Sequence, residues 1–377
     1  MSELLGHRGA VRGARFHPRD SRVLVTAGND GTARTWQLPV TTVLSASGES
    51  SRIDDADLSP NGRWVVTAKD NGWLRVRRSD TGALEAQYKQ GGAVDACPAE
   101  ECRNSVAFTA DGTEVIATPT LGTKPLVWRW RARGAPRRLE ESRALITTVA
   151  VSPAAHTMAA GTRLNEVDVW NLATGKIVAR LSTGRPEYVV SNVAFVPRSN
   201  LIAAGGSDGT VSLWDPSHPD QPRRIFRKPV ESAIRALDVT PDGNYLVAAA
   251  QDYRVQVWRV SDGKEQMALQ LDARIGDVAF SPDGAQLAVG TADASVHVWQ
   301  WRDKREIAVL RRHGDAISSL DFAGDGTRLF SASDDSTVAV YRCTTCKPFD
   351  QVLRDAKHLD RINDSHDEST ALPVRSE

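Results

Sequence analysis

Apolar and polar residues alternate in short runs near the start of the chain. Two such runs, Val11 to Phe16 and Val23 to Thr26, flank a His-Pro-Arg-Asp turn, and a third run ends at Trp36 after an Asn-Asp-Gly turn. Alternation with a period of two, bounded by Gly, Pro, Asn and Asp, is typical of half-buried strands joined by tight turns. The pattern predicts an antiparallel meander, which cannot bury its apolar faces alone and needs neighbours of the same kind.

The same unit recurs along the chain. Its third strand ends, at intervals of 41 to 51 residues, at Trp36, Arg77, Trp128, Trp170, Trp214, Trp258, Trp299 and Tyr341. Each unit also carries a turn followed by an apolar run, as in FSPDGAQLAVG from Phe280. Self-similarity at this period indicates a repeat architecture in which adjacent units bury a shared core.

These units resemble the WD-repeat (WD40) family over residues 4 to 342. The resemblance implies an all-β fold, a single closed β-propeller of four-stranded antiparallel blades. Eight third strands favour eight blades, and seven is the alternative. Leu4 and Leu5 stand where the family places a fourth strand. We therefore expect the N-terminal strand to complete the last blade and close the ring.

In the WD-repeat family, a hydrogen-bonded tetrad of His, Ser or Thr, Asp and Trp holds each blade together. The resemblance assigns two such tetrads: His7, Thr26, Asp30 and Trp36, and His313, Ser331, Asp335 and Tyr341. We interpret them as structural, because a buried network of this kind pairs polar atoms near the core. Asp208, Asp252 and Asp293 keep the turn carboxylate without a matching His, so we expect their blades to rely more on apolar packing.

Charge and hydropathy narrow the partner classes. The chain has 47 basic residues (Lys plus Arg) and 47 acidic residues (Asp plus Glu), so its formal net charge is zero. It therefore lacks the broad positive field expected of a protein that binds nucleic acid. No basic start followed by an apolar stretch opens the chain, and no apolar run reaches about 18 residues. We expect a cytoplasmic monomer with neither a nucleic-acid nor a membrane partner.

The sequence shows no motif for catalysis. A Gly-rich phosphate loop, a nucleophile elbow and a paired metal-ligand motif are all missing from it. Asp54, Asp55 and Asp57 lack the Gly and Glu of a calcium loop, so we interpret them as a solvated edge. The sequence predicts no enzyme, no cofactor and no metal. An enzyme that uses the central channel is an alternative, but inner strands such as VAFSPDG indicate packing.

Four cysteines are too few for a disulfide scaffold. Cys97 and Cys102 lie in an insertion on one face, whereas Cys343 and Cys346 follow the last strand and should emerge on the other. Because a Zn–S bond is only about 2.3 Å long, the two pairs cannot share one zinc ion. The Cys343–Cys346 pair is either a redox pair, half of a metal site, or two thiols near a strand end.

In the propeller that the resemblance implies, the turns that hold His7 and Asp30 lie on one face, called here the top face. Several irregular features of the second and third units are expected on this face. The insertion from Gln90 to Asn104 makes the longest interval, and Trp73 follows an Asn-Gly turn where most units carry a small residue. Exposed aromatics beside variable loops are frequent binding anchors, although Trp73 could also fold onto its own blade. The candidate partner-binding residues are Trp73, Asp95, Glu100, Glu101 and Tyr253. The sequence thus predicts a non-catalytic scaffold for a protein or peptide partner.

The chain as a whole divides into three parts. We assign residues 1–347 to the propeller, residues 348–363 to an amphipathic helix that begins at a Pro, and residues 364–377 to a disordered tail. The segment YRCTTCKPFDQVLRDAKHL is similar to the ends of WD-repeat regions in bacterial proteins that carry STAND-type NTPase or Ser/Thr kinase modules. This resemblance implies, as an alternative function, a sensor or regulatory module of a bacterial signalling system.

Overall fold

The strands of the molecule form four-stranded sheets built by consecutive segments of the chain. The computed structural model describes residues 2–4, 7–17, 20–37, 40–45, 53–59, 61, 63–69, 71–78, 81–90, 105–109, 111–118, 122–132, 134–152, 156–182, 185, 187–227, 232–322, 326, 328–335 and 338–342. Within these residues there are eight four-stranded antiparallel sheets, numbered here as blades 1 to 8. That number equals the count of third strands in the sequence.

Each blade is an up-and-down meander. Blade 1 comprises β2 (Val11–His17), β3 (Asp20–Gly28), β4 (Thr32–Gln37) and β5 (Val40–Ser45), and blade 2 comprises β6 (Ile53–Leu58), β7 (Trp64–Lys69), β8 (Trp73–Arg78) and β9 (Leu84–Lys89). Blade 3 comprises β10 (Ser105–Phe108), β11 (Val115–Thr118), β12 (Leu126–Trp128) and β13 (Arg137–Arg138), and blade 4 comprises β14 (Ile146–Val151), β15 (Thr157–Thr162), β16 (Glu166–Asn171) and β17 (Ile177–Ser182). Blade 5 comprises β18 (Val190–Phe195), β19 (Ile202–Gly206), β20 (Thr210–Trp214) and β21 (Arg224–Arg227), and blade 6 comprises β22 (Ile234–Val239), β23 (Tyr245–Ala250), β24 (Arg254–Arg259) and β25 (Glu265–Gln270). Blade 7 comprises β26 (Ile275–Phe280), β27 (Gln286–Thr291), β28 (Ser295–Gln300) and β29 (Arg305–Arg311), and blade 8 comprises β30 (Ile317–Phe322), β31 (Arg328–Ser333), β32 (Val338–Arg342) and β1 (Ser2–Leu4).

The sheets are arranged as a closed ring. The first strand of each blade contacts the first strand of the next, and β30 of blade 8 contacts β2 of blade 1. The N-terminal strand β1 pairs antiparallel with β32, with Leu4 opposite Val338. The predicted closure by the N-terminal strand is therefore confirmed for Ser2–Leu4, while Leu5 lies outside the described residues. An all-β propeller of four-stranded antiparallel blades is likewise confirmed.

The topology gives the ring two faces. The bottom face carries the turns between the first and second strands and between the third and fourth strands of each blade. The top face carries the turns between the second and third strands, together with the connections between blades. In blades 3 to 7 the third-strand tryptophan lies in the apolar layer against the preceding blade, as Trp170 does beside Ile116 and Leu139. The core is therefore a series of layers between neighbouring sheets.

Side chains on the first strands bond one blade to the next. Asp57 accepts a hydrogen bond from the backbone N–H of Phe108 (2.8 Å), and Asp238 accepts one from Phe280 (2.7 Å). Asp277 accepts one from Leu320 (2.9 Å). The interpretation of Asp57 as part of a solvated edge was wrong, because its carboxylate pairs with a backbone group that belongs to a neighbouring blade.

Blades 7 and 8 approach each other closely at Gly276. A Cβ atom at this position would lie 1.9 Å from the carbonyl oxygen of Ile317 in blade 8, a distance that no side chain could accept without a backbone shift. Glycine is therefore required at this point of the ring.

The described part of the chain contains one helical turn, the 3-10 helix Trp301–Asp303. It contains no helix long and apolar enough to cross a membrane. The predicted helix over 348–363 and the predicted tail over 364–377 lie outside the described residues.

Candidate partner-binding surface

The top edge of blade 1 is held by the first predicted tetrad. His7 Nδ1 lies 3.0 Å from Asp30 Oδ1, and His7 Nε2 lies 2.8 Å from Thr26 Oγ1. The indole N–H of Trp36 donates to the same hydroxyl at 2.9 Å. The Thr26 oxygen accepts this hydrogen bond, so its own hydroxyl hydrogen can be donated to His7 Nε2. The Nδ1–H group of a neutral His7 imidazole then donates to Asp30. All four side chains are paired in this arrangement.

The carboxylate of Asp30 is the anionic centre of this network. Burial opposes its ionisation, but hydrogen bonds from the His7 ring and from the Arg8 backbone N–H hold the pKa of Asp30 well below its ordinary value. Gly28 makes room for the ring, since a Cβ there would lie 2.5 Å from His7 Nδ1. The polar atoms of this site are thus engaged with one another around an ionised carboxylate, which supports a structural role.

The second tetrad has the same form in blade 8. His313 Nδ1 lies 3.0 Å from Asp335 Oδ2, and His313 Nε2 lies 2.7 Å from Ser331 Oγ. A tyrosine replaces the tryptophan, with the Tyr341 hydroxyl 3.3 Å from Ser331 Oγ. The structure therefore brings together all eight residues assigned to the tetrads, and each tetrad lies within the unit of one blade.

Blade 5 has a substitute for the histidine, which corrects the expectation of mainly apolar packing there. Arg185 Nη1 lies 3.4 Å from Asp208 Oδ2 and stacks over Tyr188, with its Cζ atom 4.4 Å from the ring centroid. Thr210 donates to Asp208 at 2.8 Å. Arg185 precedes Asp208 by 23 residues, as His7 precedes Asp30. This shared spacing was present in the sequence but was hidden by the change of side chain.

Blade 7 satisfies its turn carboxylate in another way, which also corrects the expectation of apolar packing. Thr291 and Ser295 both donate to Asp293 at 2.5 Å. Ser295 Oγ also lies 3.1 Å from His297 Nε2, and His297 Nδ1 lies 2.6 Å from Glu306. The Ser-His-Glu order resembles a catalytic triad, but Ser295 is fully buried and already bonded to Asp293. A substrate cannot reach its hydroxyl, so the network is structural.

Trp73 stands at the top of blade 2 between two cations. The side chain is partly exposed, with Arg75 Cζ at 5.1 Å and Lys89 Nζ at 5.7 Å from the indole ring. These distances are in the range of cation–π contacts. Strand β9 ends beside it at Lys89, one residue before Gln90, where the insertion begins. The indole is thus held by its own blade along part of its surface and remains accessible along the rest.

Tyr253 lies on the far side of the ring, in blade 6. It occupies the turn position that holds Gly31 in blade 1 and Gly72 in blade 2, whereas Arg254 is the counterpart of Trp73. Tyr253 therefore lies one residue before the position equivalent to Trp73. Tyr253 adopts a left-handed backbone with φ 68° and is 39% exposed. Trp73 and Tyr253 do not form one patch, because three blades lie between blade 2 and blade 6 in either direction around the ring.

The remaining predicted residues cannot be placed. Asp95, Glu100, Glu101, Cys343 and Cys346 lie outside the described residues. No group of three or more His, Cys, Asp or Glu side chains that could hold a metal ion occurs in the described ranges. Cys97 and Cys102 are likewise outside them.

The central channel carries carboxylates that the sequence interpretation did not anticipate. Burial raises the pKa of Asp238 to about 7 and that of Asp277 to about 6, and nearby Asp321 adds to both shifts. Each of the two carboxylates accepts two backbone N–H groups, one from its own strand and one from the next blade. These convergent polar groups therefore serve the contact between blades.

The fold and its tetrads define a WD-repeat β-propeller, and comparison with known proteins agrees. Residues 1–37 match the family model described as WD domain, G-beta repeat. Residues 147–366 match the model described as nucleolar protein 10-like, N-terminal domain. Since the second match covers more than half of the chain, the chain belongs to the family of nucleolar protein 10-like, N-terminal β-propeller domains.

Two individual relatives illustrate the range of this similarity. The probable cytosolic iron-sulfur protein assembly protein Ciao1 of Culex quinquefasciatus is 40% identical over 88 residues, which is 22% of this chain and 25% of that protein. The chain therefore matches about a quarter of the length of this relative. The crystal structure of the computationally designed Ika8 protein superposes with a TM-score of 0.74 at 22% identity, over 90% of this chain and 98% of that one. At this identity the likeness concerns the fold alone.

Proposed function

We propose that this protein is a non-catalytic scaffold that presents the top face of blades 2 and 3 to a protein or peptide partner. WD-repeat propellers generally act as protein-interaction scaffolds. The observation that carries the proposal is the partly exposed indole of Trp73, held between Arg75 and Lys89 beside the insertion that starts at Gln90. An aromatic ring fixed in this way offers contact area with little loss of side-chain entropy on binding.

The proposed chemistry of the partner follows from the same residues. Lys89 and the guanidinium of Arg75 place positive charge around the indole. The sequence of the insertion contains the acids Asp95, Glu100 and Glu101. We expect a partner that inserts an apolar side chain against the ring and supplies polar groups of both signs around it. Tyr253 is a second, separate contact point on the far side of the face.

The test is affinity purification from the native host with a tagged chain, followed by mass spectrometry. Trp73→Ala and a variant that lacks residues 91–104 should each lose the main partner, whereas Val178→Ala, at a side chain 55% exposed on the outer strand of blade 4, should retain it. Recovery of the same partners by all variants would contradict the placement of the surface. Recovery of chaperones alone by the wild-type chain would contradict the scaffold itself.

A second candidate function rests on the resemblance of residues 341–359 to bacterial WD-repeat proteins. In this case the propeller is a sensor or regulatory module that acts with a STAND-type NTPase or a kinase. Co-purification of such an enzyme with the wild-type chain supports it, and a partner list that contains no NTPase or kinase counts against it.

A further inference from the structure

Two places on the bottom face carry the same aromatic and arginine motif. In blade 3 the sequence Val-Trp-Arg-Trp-Arg-Ala spans residues 127–132, and in blade 7 Val-Trp-Gln-Trp-Arg-Asp spans residues 298–303. Trp130 donates its indole N–H to the Gly112 carbonyl (3.2 Å), and Trp301 donates to the equivalent carbonyl of Gly284 (2.9 Å). Blades 3 and 7 are four blades apart, so the two motifs lie on opposite sides of the ring.

Each motif ends in an arginine that stacks across a blade boundary. Arg131 Cζ lies 4.3 Å from the ring of Trp130 and 5.1 Å from that of Trp64 in blade 2. Arg302 Cζ lies 4.3 Å from Trp301 and 4.9 Å from Tyr245 in blade 6. The two rims, defined as the bottom edges of blades 2 and 3 and of blades 6 and 7, therefore have the same stacked frame.

The two rims differ in charge. At the 6/7 rim the acids are Asp242, Asp262, Asp283 and Asp303, and Asp262 pairs with Arg259 at 3.0 Å. The equivalents at the 2/3 rim are Asn61, Thr81, Asp111 and Ala132. Arg63 and Arg129 of the 2/3 rim replace Asn244 and Gln300 of the 6/7 rim, and Glu114 at the 2/3 rim pairs with Arg129 at 2.7 Å. In the sequence, the turns of the 2/3 rim contain three acids (Asp80, Asp111 and Glu114) and five arginines (Arg63, Arg78, Arg129, Arg131 and Arg133), which is an excess of positive charge. In the turns of the 6/7 rim the four aspartates balance the four cations Arg259, Lys264, Arg302 and Lys304.

The exposed arginines of the 2/3 rim are positioned for carboxylates. Arg63 and Arg131 are exposed, and within the described residues neither has a carboxylate within 4.0 Å. Stacking on Trp130 and Trp64 restricts the plane of the Arg131 guanidinium, whose N–H groups form no hydrogen bond with any of the described residues. In contrast, Arg302 donates to the Gly284 carbonyl at 2.8 Å. A stacked guanidinium with a free edge is suited to paired hydrogen bonds with a carboxylate.

We propose that the 2/3 rim binds an acidic peptide segment of a partner protein, with Arg131 as the central contact and Arg63 beside it. Charge complementarity determines this choice of partner, because the chain as a whole is neutral while this rim is positive. Nucleic acid fits less well, since binding of single strands uses open aromatic faces for base stacking. Here Trp130 is 4% exposed, and an arginine covers the face of Trp64.

The site is tested by exchanging the charges of the two rims. Asn61 accepts hydrogen bonds from Ser59 and from the Arg63 backbone N–H, as Asp242 does from Thr240 and from the Asn244 backbone N–H. Asn61→Asp together with Ala132→Asp therefore gives the 2/3 rim the counterparts of Asp242 and Asp303 with the Asn61 turn intact. Asp242→Asn with Asp303→Ala replaces these two acids of the 6/7 rim by the neutral side chains of the 2/3 rim.

The readout is fluorescence anisotropy with a labelled twelve-residue polyglutamate peptide at low salt, and its polyglutamine counterpart serves as the uncharged probe. The wild-type chain should bind polyglutamate saturably, and Asn61→Asp/Ala132→Asp and Arg63→Gln/Arg131→Gln should each weaken binding by about tenfold. Asp242→Asn/Asp303→Ala should add a second site. Lys264→Gln on the bottom of blade 6 and Lys89→Gln on the top of blade 2 should change affinity by less than about twofold.

Several results would overturn this proposal. They are equal binding of the polyglutamine probe, no binding of polyglutamate by the wild-type chain, unchanged binding by Asn61→Asp/Ala132→Asp, or displacement of the peptide by an equimolar single-stranded oligonucleotide. Thermal unfolding of each variant identifies any loss of fold. If Arg131→Gln proves unstable, the binding of polyglutamate by Asn61→Asp/Ala132→Asp still tests the proposal. Trp73→Ala should leave peptide binding unchanged, so the outcome is independent of the top-face scaffold.

Discussion

At the scale of single residues, the histidine tetrads decide how the top edge of a blade is held. The imidazole of His7 connects the Thr26 hydroxyl to the Asp30 carboxylate. All three side chains are largely shielded from water, so water does not readily replace a lost hydrogen bond. Removing one member of a buried network leaves the others unpaired, which costs more than the lost hydrogen bonds themselves. The tetrad is therefore most sensitive at its centre.

We expect His7→Ala to lower the free energy of unfolding by about 3 kcal/mol, because it leaves a buried hydroxyl and a buried carboxylate without their shared partner. Urea unfolding followed by tryptophan fluorescence measures the change. Arg8→Ala is the matched control, since Arg8 is exposed and only its backbone N–H bonds Asp30, and it should cost less than about 0.5 kcal/mol. Equal losses in the two variants would show that the tetrad does not stabilise the blade.

The contrast between blades 1 and 5 shows what a sequence can indicate at this scale. The tetrad of blade 1 could be assigned because each of its residue types matched the family pattern. Arg185 could not, because an arginine at the histidine position fits the spacing and breaks the residue pattern. Its role depends on Tyr188, which carries the stacked guanidinium, and on Asp208, which is 23 residues away along the chain.

At the scale of the strand, the three-residue strand β1 completes blade 8 and thereby closes the ring. Its three residues pair with β32 and cover the outer edge of blade 8. An uncovered strand edge is a template for pairing with another chain. The strand therefore protects the molecule as well as stabilising it.

Deletion of Ser2–Leu4 should lower the free energy of unfolding by about 2 kcal/mol, since each lost backbone hydrogen bond contributes about 1 kcal/mol. The exposed edge of β32 should also promote self-association, which light scattering during thermal unfolding would detect. Replacement of Ser2–Leu4 by Thr-Asp-Val is the control, because it preserves the backbone pairing. A deletion variant that stays monomeric and as stable as the control would contradict this role.

Strands were the features most readily predicted from the sequence. Alternation of apolar residues and the recurring Trp located each meander, and the position of Leu4 indicated where the closing strand would pair. The bonds between blades were not predictable in this way. Asp57 meets the Phe108 backbone 51 residues later, and Asp238 meets that of Phe280 42 residues later. Nothing in the local pattern around these aspartates distinguishes a solvated carboxylate from one that bonds a neighbouring sheet.

At the scale of the whole molecule, the channel carboxylates make the ring sensitive to pH. Burial raises the pKa of Asp238 to about 7 and of Asp277 to about 6. The folded ring therefore binds protons more tightly than the unfolded chain does. The stabilisation that these protons provide is complete below the ordinary aspartate pKa and is lost as the pH rises through 6 and 7.

We expect the free energy of unfolding to fall by about 2 kcal/mol between pH 5 and pH 8. This is less than the two pKa shifts alone would give, because both aspartates are partly exposed and solvent screens their charges. Asp238→Asn together with Asp277→Asn should flatten this dependence, since asparagine cannot ionise. Urea unfolding at several pH values tests both statements. Asp30 does not interfere in this window, because its lowered pKa affects stability only in more acidic solution. A wild-type dependence that the double variant reproduces would refute this assignment.

The pairing of β1 with β32 also bears on how the molecule is made. Leu4 is synthesised 334 residues before Val338, so β1 has no partner until the strands of the seven other blades have been made. Blades in the middle of the chain can assemble while synthesis proceeds, but blade 8 cannot be completed until its last strand has emerged. Closing the ring therefore joins two strands that the ribosome produces far apart in time.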